Sequence, residues 1–427
     1  MFKLKLHWQI LIGLGLAVIA GILTGEEATI FGVTFYSIYD FIGTLFLNAL
    51  KMIIVPLIVS SIIVGVAGIG GTSGLARLGG RTIIYYMTTS LFAILIGLMV
   101  VNLIEPGIVN GEPARALTAV PDSQIADIQS KVEGKDASSI ADVFLGMFPP
   151  NIVAAAADGK MLGLIVFSLL FGFFVTRIEE SYASAQFNFW QGMYQVMLKI
   201  TELVIKFAPI GVFGLVAKVI AGMDEDNLDD MLNALFWFTF SVILALAIHL
   251  FIVLPLLLKF VARVNPIKHY QAMLPALLTA FTTASSSATL PLTMECVEKN
   301  AGVSNKTASF VLPLGATINM DGTALYECIA ALFIAQTFGL ELSFTTQFLV
   351  VLVALLTSIG VAGIPSASLV AITIILTTIG LPIEAVGVIL AVDRILDMFR
   401  TAVNVFSDSC GAVIIARLEG EEGILRA

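Results

Sequence analysis

Long apolar stretches alternate with short charged connections over the first 262 residues and predict helices near 7–24, 37–68, 80–104, 141–177, 190–222 and 232–262. Several reach the roughly 20 residues needed to cross a hydrocarbon core of about 30 Å. The connection around 70–81 carries Arg77 and Arg81, and the one after 260 carries Arg263 and Lys268. Those near 25–27 and 224–230 carry Glu26, Glu27, Asp224, Glu225, Asp226, Asp229 and Asp230, with no Lys or Arg. Basic short loops face the cytoplasm, so this alternation places the N-terminus, with Lys3 and Lys5, inside and residue 263 inside again. No small-residue cleavage site precedes Glu26, so the first apolar run reads as an uncleaved span.

From residue 267 the pattern changes. Apolar stretches shorten and are interrupted at Ser285-Ser286-Ser287 and Pro291, at Asn319-Met320-Asp321-Gly322, and at Gly360, Gly363 and Pro365. Backbone that leaves the helix at membrane depth is tolerated only inside protein or against a water-filled cavity. Two small-residue hairpin tips, each followed by a helix, occupy corresponding positions. That is the inverted-repeat pattern of a secondary transporter with its site near the midplane. The polar insertion over 105–140 reads as an exposed outer loop and is assigned no chemistry.

Composition narrows the class. Of 427 residues, 58% are hydrophobic and 12% charged, about half the charge of a soluble domain. A mean hydropathy of +0.99 excludes a soluble enzyme or a disordered chain. Lys+Arg 22 against Asp+Glu 31 gives a net charge of −9, which offers nucleic acid no basic footprint. Cys296, Cys328 and Cys410 make no disulfide framework, and His7, His249 and His269 are scattered without metal-ligand spacing. The fold class is an all-α polytopic membrane protein, and no enzyme is indicated: Ser286 has no His or Lys beside it to act as a base.

The last long helix carries Asp393, Asp397, Arg400, Asn404 and Asp408 at intervals of 4, 3, 4 and 4, which line up on one stripe at 3.6 residues per turn. One reading is a structural ion-pair ladder between Asp397 and Arg400. The other is a site, because acceptors outnumber donors and intramembrane ionisable groups usually face a pathway. Asp408 then suits a hard cation, with carbonyls freed near Gly315, Thr317 and Asn319 and the charge of Asp321 alongside. Asn319 and Asp321 also suit a plain helix cap. Arg400 offers a planar fork for a carboxylate, Asp397 an acceptor for an ammonium, and Asn404 a contact for a second carboxylate. A ligand with all three groups is aspartate or glutamate.

At these residues the chain resembles the dicarboxylate/amino-acid:cation symporter family, which includes the sodium-coupled glutamate and aspartate transporters. The resemblance rests on T-A-S-S-S-A-T-L-P, N-M-D-G-T, S-I-G-V-A-G-I-P and D-x-x-x-D-x-x-R-T-x-x-N-x-x-x-D over 267–418, with Y-Y-M-T-T-S at 85–90. It implies eight transmembrane helices and two re-entrant hairpins in a homotrimer, with both termini cytoplasmic. It also implies a division into scaffold helices over 1–78 and 141–222, and a transport unit over 79–140 and 223–427 that moves as an elevator. The second hairpin would be the extracellular gate. Substrate would touch Ala284, Ser286, Thr323, Ile364, Ser368, Asp397, Arg400, Thr401 and Asn404. About three sodium ions are implied. One would use Gly315, Asn319, Asn404 and Asp408; a second Thr317, Ser358, Ile359 and Val361; a third Tyr86, Thr89, Ser90, Asn319 and Asp321.

Two departures qualify the resemblance. Archaeal members often carry an Arg where Ala284 stands, and animal members place it where Met398 stands; here Arg394 lies one turn before Met398, so its guanidinium could reach the same region and join the substrate-binding set, and it could pair with Asp397 or Asp393. Glu327 looks like the proton-carrying glutamate of animal transporters, where many prokaryotic members have Gln; packing as a neutral carboxyl or pairing with Arg394 is its structural alternative. The runner-up function is a proton-coupled glutamate or C4-dicarboxylate carrier of the same fold. A C4-dicarboxylate has no ammonium and would not need Asp397.

Overall fold

The computed structural model is helical almost throughout and describes residues 6–68, 73–114, 145–158, 161–222, 225–358 and 368–425. Helix α1 (Leu6–Thr24) leads through the two-residue strands β1 (Thr29–Ile30) and β2 (Val33–Thr34) into α2 (Phe35–Ala67). Thr34 caps α2 by accepting the Ser37 N–H at 3.1 Å. Helix α3 (Ser73–Ile104) is followed by a second tight hairpin, β3 (Ile108–Val109) and β4 (Glu112–Pro113). The start of the 105–140 insertion is therefore folded back on itself, and Gln336 Oε1 accepts the Gly107 N–H at 3.0 Å to hold it against the bundle. Residues 115–140 lie outside those described.

The continuous span expected over 141–177 is interrupted. A short helix α4 (Ile152–Ala157), capped by Asn151 accepting from Val153 N and Ala154 N, precedes α5 (Met161–Val175). Polar Asn151, Asp158 and Lys160 and the Pro149-Pro150 pair break what hydropathy alone reads as one run. The expected 190–222 span is also two pieces, α6 (Glu180–Lys206) and α7 (Ala208–Ala221), which meet at 54°. Pro209 stands in the first turn of α7, where a missing N–H costs nothing but the preceding helix cannot continue straight.

Helix α8 (Glu225–Ile248) runs on through two π-helical turns, His249–Val253 and Leu258–Ala262. Then come α9 (Pro266–Thr283), α10 (Ser286–Glu295), α11 (Asn305–Ile318), α12 (Asp321–Thr337), α13 (Phe344–Ser358), α14 (Ser368–Ile379) and α15 (Val386–Leu418). Two packing groups result. Helices α1 and α2 pack on α7, and α2 also on α5 and α6; α3 packs on α12, and α9, α11 and α12 on α15. Helix α9 lies against α10, and α13 against α14.

Among the described residues four stretches are long and apolar enough to cross a membrane, Leu78–Ile104, Asp229–Ala262, Asn305–Thr337 and Val392–Leu418, or five if α6 and α7 form one span. The remaining apolar helices, Ile12–Thr24, Val55–Ala67, Gly163–Val175 and Phe344–Ser358, are shorter. Leu23, Ile84, Leu103, Phe236 and Phe251 point outward, an apolar surface suited to lipid and unsuited to water. Residues 318–335, with the break at 319–320 inside them, are all buried, which is where a broken helix can exist in a bilayer.

The end of α15 is tied to distant elements. Glu421 accepts from Ser304 N at 2.8 Å and Ser304 Oγ at 2.6 Å, and from the Thr307 hydroxyl, while Arg81 Nη1 pairs with Glu419 Oε1 at 2.6 Å. Partial burial pushes the Glu421 carboxyl upward, but the donors of Ser304 and Thr307 and the nearby Lys306 outweigh it and hold the group below the usual carboxylate range. A depressed folded value contributes stability above the unfolded pKa of about 4.3 that is lost as pH falls through the folded one. Glu421→Ala is expected to lower the thermal midpoint at pH 7, with the difference from wild type shrinking below about pH 4; thermal unfolding in detergent across pH checks it.

Candidate functional site

Two interruptions bring the polar residues together, and each has a local cause. Helix α9 stops at Thr283 because Ala284 takes a left-handed conformation (φ 49), and Ser285 starts α10 by accepting the Ala288 N–H at 3.2 Å. Ala284 and Ser286 are buried at this tip. Helix α11 stops at Ile318: Asn319 (φ −101, ψ 82) and Met320 (φ −108, ψ 55) leave the helical region, and α12 resumes at Asp321. Residues 359–367 lie outside those described, so the assignments made to Ile359, Val361 and Ile364 fall there.

The break at 319–320 sits against α3 and α15. Asn319 Nδ2 donates to Asp408 Oδ1 at 2.9 Å and to Ser407 Oγ at 3.0 Å, and its Oδ1 lies 3.3 Å from the Thr89 hydroxyl. Asp321 is saturated with donors: Ser90 Oγ at 2.7 Å on Oδ1, then Ser407 Oγ at 2.6 Å and His249 Nε2 at 3.0 Å on Oδ2. The Tyr86 hydroxyl donates to Val311 O at 2.7 Å. A methyl group at Gly315 would lie 2.5 Å from Asp408 Oδ1 and 2.7 Å from the Tyr86 oxygen, so only glycine lets α15 and α3 come this close. Asn319, Asp321, Asp408, Tyr86, Thr89 and Ser90 thus converge in one buried knot. Among the described residues, the hydroxyls of Thr317, bonding Leu314 O at 2.9 Å, and Ser358, bonding Leu355 O at 2.8 Å, make hydrogen bonds within their own helices.

Two turns earlier on α15 lies a second knot. Arg400 is fully buried. Its Nη1 donates to Ser368 Oγ at 2.7 Å and its Nη2 to Asp393 Oδ1 at 3.0 Å, and Nη2 forms an ion pair with Asp397 Oδ1, also at 3.0 Å. The guanidinium lies 3.9 Å above the Tyr326 ring, a desolvated cation–π contact. Arg394 Nη1 reaches Asp397 Oδ2 at 3.4 Å, so its carboxylate partner is Asp397 and not Glu327. Asn404 joins the two knots: its Oδ1 accepts the Gly322 N–H at 2.8 Å, and its Nδ2 donates to Thr323 Oγ1 at 3.1 Å and approaches Met320 sulfur at 3.4 Å. Thr401 is buried on the same stretch of α15.

Both readings of the α15 stripe therefore have structural content. The ion-pair ladder exists as Asp393–Arg400–Asp397–Arg394, and the surplus carboxylates Asp321 and Asp408 stand apart from it without an Arg or Lys partner among the described residues. Glu327 is completely buried on α12; Thr357 Oγ1 donates to its Oε2 at 3.1 Å, and Oε1 has no hydrogen-bond partner among the described residues. Its alternative pairing with Arg394 is not what the structure shows.

Sequence reasoning missed three residues here. By spacing His249 is one of three scattered histidines, yet its ring bonds Asp321. An ionisable residue alone in the apolar run A-L-A-I-H-L-F-I-V-L-P was the signal. Ser407, beside Asp408 and seven residues after Arg400, falls on the same stripe of α15 and bridges Asn319 to Asp321. Tyr326, next to Glu327, carries no spacing signal, since its role is to face a guanidinium on another helix.

The comparisons agree with the motifs. The model of the sodium:dicarboxylate symporter family matches residues 6–418. The chain is similar to a proton/sodium-glutamate symport protein of Geobacillus stearothermophilus, at 36% identity over 99% of this chain and 96% of the relative. It is similar to the proton/glutamate-aspartate symporter of Escherichia coli K12 at 34% identity, over 98% and 93%. Excitatory amino acid transporter 1 of Ambystoma tigrinum is 35% identical over 95% of this chain and 82% of its own length.

The second close approach gives a test of the packing that assembles the site. A Cβ on Gly322 would meet the Arg400 carbonyl oxygen at 2.7 Å and its Cα at 3.1 Å, backbone that cannot rotate away. Gly322→Ala is expected to force α12 from α15 and cost about 1–3 kcal/mol, as overpacking does, read as a lowered thermal midpoint of the purified protein.

Proposed function

The chain belongs to the sodium:dicarboxylate symporter family, and we propose that it takes up aspartate or glutamate by secondary active symport driven by a sodium gradient. The observation that carries this reading is the pairing of a charge-balanced knot around Arg400 with a carboxylate knot around Asn319, joined through Asn404. The first recognises an amino acid and the second attracts cations.

Recognition proceeds by exchange of partners. Arg400 holds two carboxylates, and a substrate carboxylate takes the place of one of them. Asp397, released on one oxygen, then accepts the substrate ammonium. The guanidinium is never left bare, which matters because stripping one partner from a buried pair costs about 3–5 kcal/mol. Ser368, Thr401 and Asn404, with Thr323, the first hairpin tip at Ala284 and Ser286 and the second at Ile364, would complete the pocket, and Arg394 would keep Asp397 oriented.

Sodium would occupy three places. Asp408 with Gly315, Asn319 and Asn404 forms one; Tyr86, Thr89 and Ser90 with Asn319 and Asp321 form another; Thr317, Ser358, Ile359 and Val361 form the third. With three ions and one anionic substrate, a tenfold sodium gradient supplies about 4 kcal/mol, and two net charges crossing 100 mV add about 4.6 kcal/mol. Uphill accumulation of several powers of ten is then within reach.

The two packing groups support a scaffold of α1, α2 and α4–α7 and a mobile unit of α3 and α8–α15. In this reading the mobile unit crosses as an elevator within a homotrimer of eight-span, two-hairpin subunits, N- and C-termini cytoplasmic. The buried carboxyl of Glu327, with one oxygen unpartnered among the described residues, favours an added proton-coupled step as the second reading.

Uptake of labelled aspartate into proteoliposomes, with voltage clamped and either ion gradient imposed, tests the proposal. Sodium-driven uptake lost in Asp408→Asn and Arg400→Ala is expected; uptake driven by protons without sodium would overturn the coupling. Glu327→Gln is expected to flatten the pH dependence of uptake between pH 5 and 9, and an unchanged profile would remove Glu327 from the cycle.

A further inference from the structure

Helix α8 delivers one polar side chain to the Asn319 knot, and the backbone is built to aim it. At His249–Val253 the helix widens to a π turn: the Leu254 N–H bonds His249 O, five residues back, instead of Leu250 O. Pro255 has no N–H to take that place, so the Leu250 carbonyl would be unpaired inside the bundle. The Tyr270 hydroxyl from α9 donates to it. The Tyr270 ring in turn stacks on Phe406 of α15 with centroids 4.3 Å apart, next to Ser407, which holds Asp321. A π turn inserts one residue and re-aims the face of a helix. Here the re-aimed residue is His249, fully buried, with Nε2 3.0 Å from Asp321 Oδ2 and Nδ1 unpartnered among the described residues.

We propose that His249 is a positioning residue for the cation site containing Asp321: the Nε2–H, set by the π turn that Pro255 and Tyr270 lock, fixes the carboxylate so that Oδ1 faces Ser90, Thr89 and the break at 319–320. This deepens the sodium-symport reading and rests on it. Asp321 is an acceptor with three donors drawn from α3, α8 and α15. Without the donor from α8, the carboxylate turns on its two serine contacts and the cation meets it less well oriented. His249 itself takes no part in ligation; an imidazole nitrogen is a poor match for a hard cation that prefers oxygen.

The test uses full-length protein in proteoliposomes, with initial uptake of labelled aspartate measured at saturating aspartate over a range of external sodium. His249→Leu is expected to raise the sodium concentration for half-maximal uptake by roughly tenfold or more, the range for losing a hydrogen bond to a charged group, with the rate at saturating sodium little changed. His249→Gln, whose side-chain amide can place a nitrogen where Nε2 stood, is expected to restore half-saturation to within about threefold of wild type. Tyr270→Phe keeps the ring on Phe406 and frees the Leu250 carbonyl. It is expected to shift half-saturation in the same direction, and it reads the aim of His249 even where His249→Leu does not fold. Unchanged half-saturation in the foldable variants, or equal impairment in Leu and Gln, would overturn the positioning role alone. Wild-type uptake indifferent to sodium would overturn the symport reading and this inference together.

Discussion

Where α11 gives way to α12, two peptide units leave the helical ladder in the middle of an enclosed apolar stretch, and the side chain at the break supplies what the ladder no longer does. Asn319 donates to Asp408 and Ser407 of α15 and meets Thr89 of α3, so one amide ties the broken helix to both neighbours. The bilayer interior offers no water to satisfy stray backbone or carboxylate groups, and each unsatisfied group there costs several kcal/mol. The close contacts at Gly315 and Gly322, the π turn in α8 and the serine at 407 all follow from that requirement. They exist to bring enough donors to two carboxylates and one interrupted backbone.

The same requirement sorts the buried charges into two populations. Around Arg400, two guanidinium groups face two carboxylates, so that knot is balanced, and in the proposed symport it would accept an amino acid by trading partners. Around Asn319, Asp321 and Asp408 are held by hydroxyl, amide and imidazole donors, with no Arg or Lys at hand among the described residues. In the proposed symport, a neutral knot and an electronegative one joined by Asn404 would make substrate and cation binding mutually dependent, because Asn404 touches Gly322 and Thr323 beside Asp321 on one side and lies one turn from Arg400 on the other. Coupling in this account is a matter of shared hydrogen bonds over a short path and needs no long-range relay.

Much of this was legible in the chain. The five-residue stripe on α15 and the interruptions at 284–287 and 319–322 were visible because charge and Gly/Ser clusters inside apolar runs have few innocent explanations. The internal partner choice was not: spacing shows that Asp393, Asp397, Arg394 and Arg400 share a helix, and only packing decides that Arg400 holds two of them and Ser368. His249 is passed over when the three histidines are weighed only by metal-ligand spacing, because its meaning lies in being a lone ionisable group inside an apolar run and its partner Asp321 is 72 residues away. The spans over 141–177 and 190–222 read as continuous since hydropathy averages over a capping Asn151 and a single Pro209, each of which redirects the backbone.

The central claim is that amino acid and sodium bind one connected network. Calorimetric titration of aspartate into the purified protein at a series of fixed sodium concentrations measures that linkage directly. The account predicts that aspartate affinity climbs steeply with sodium, with a log–log slope above one. Affinity that stays constant from sodium-free to sodium-rich buffer would contradict it.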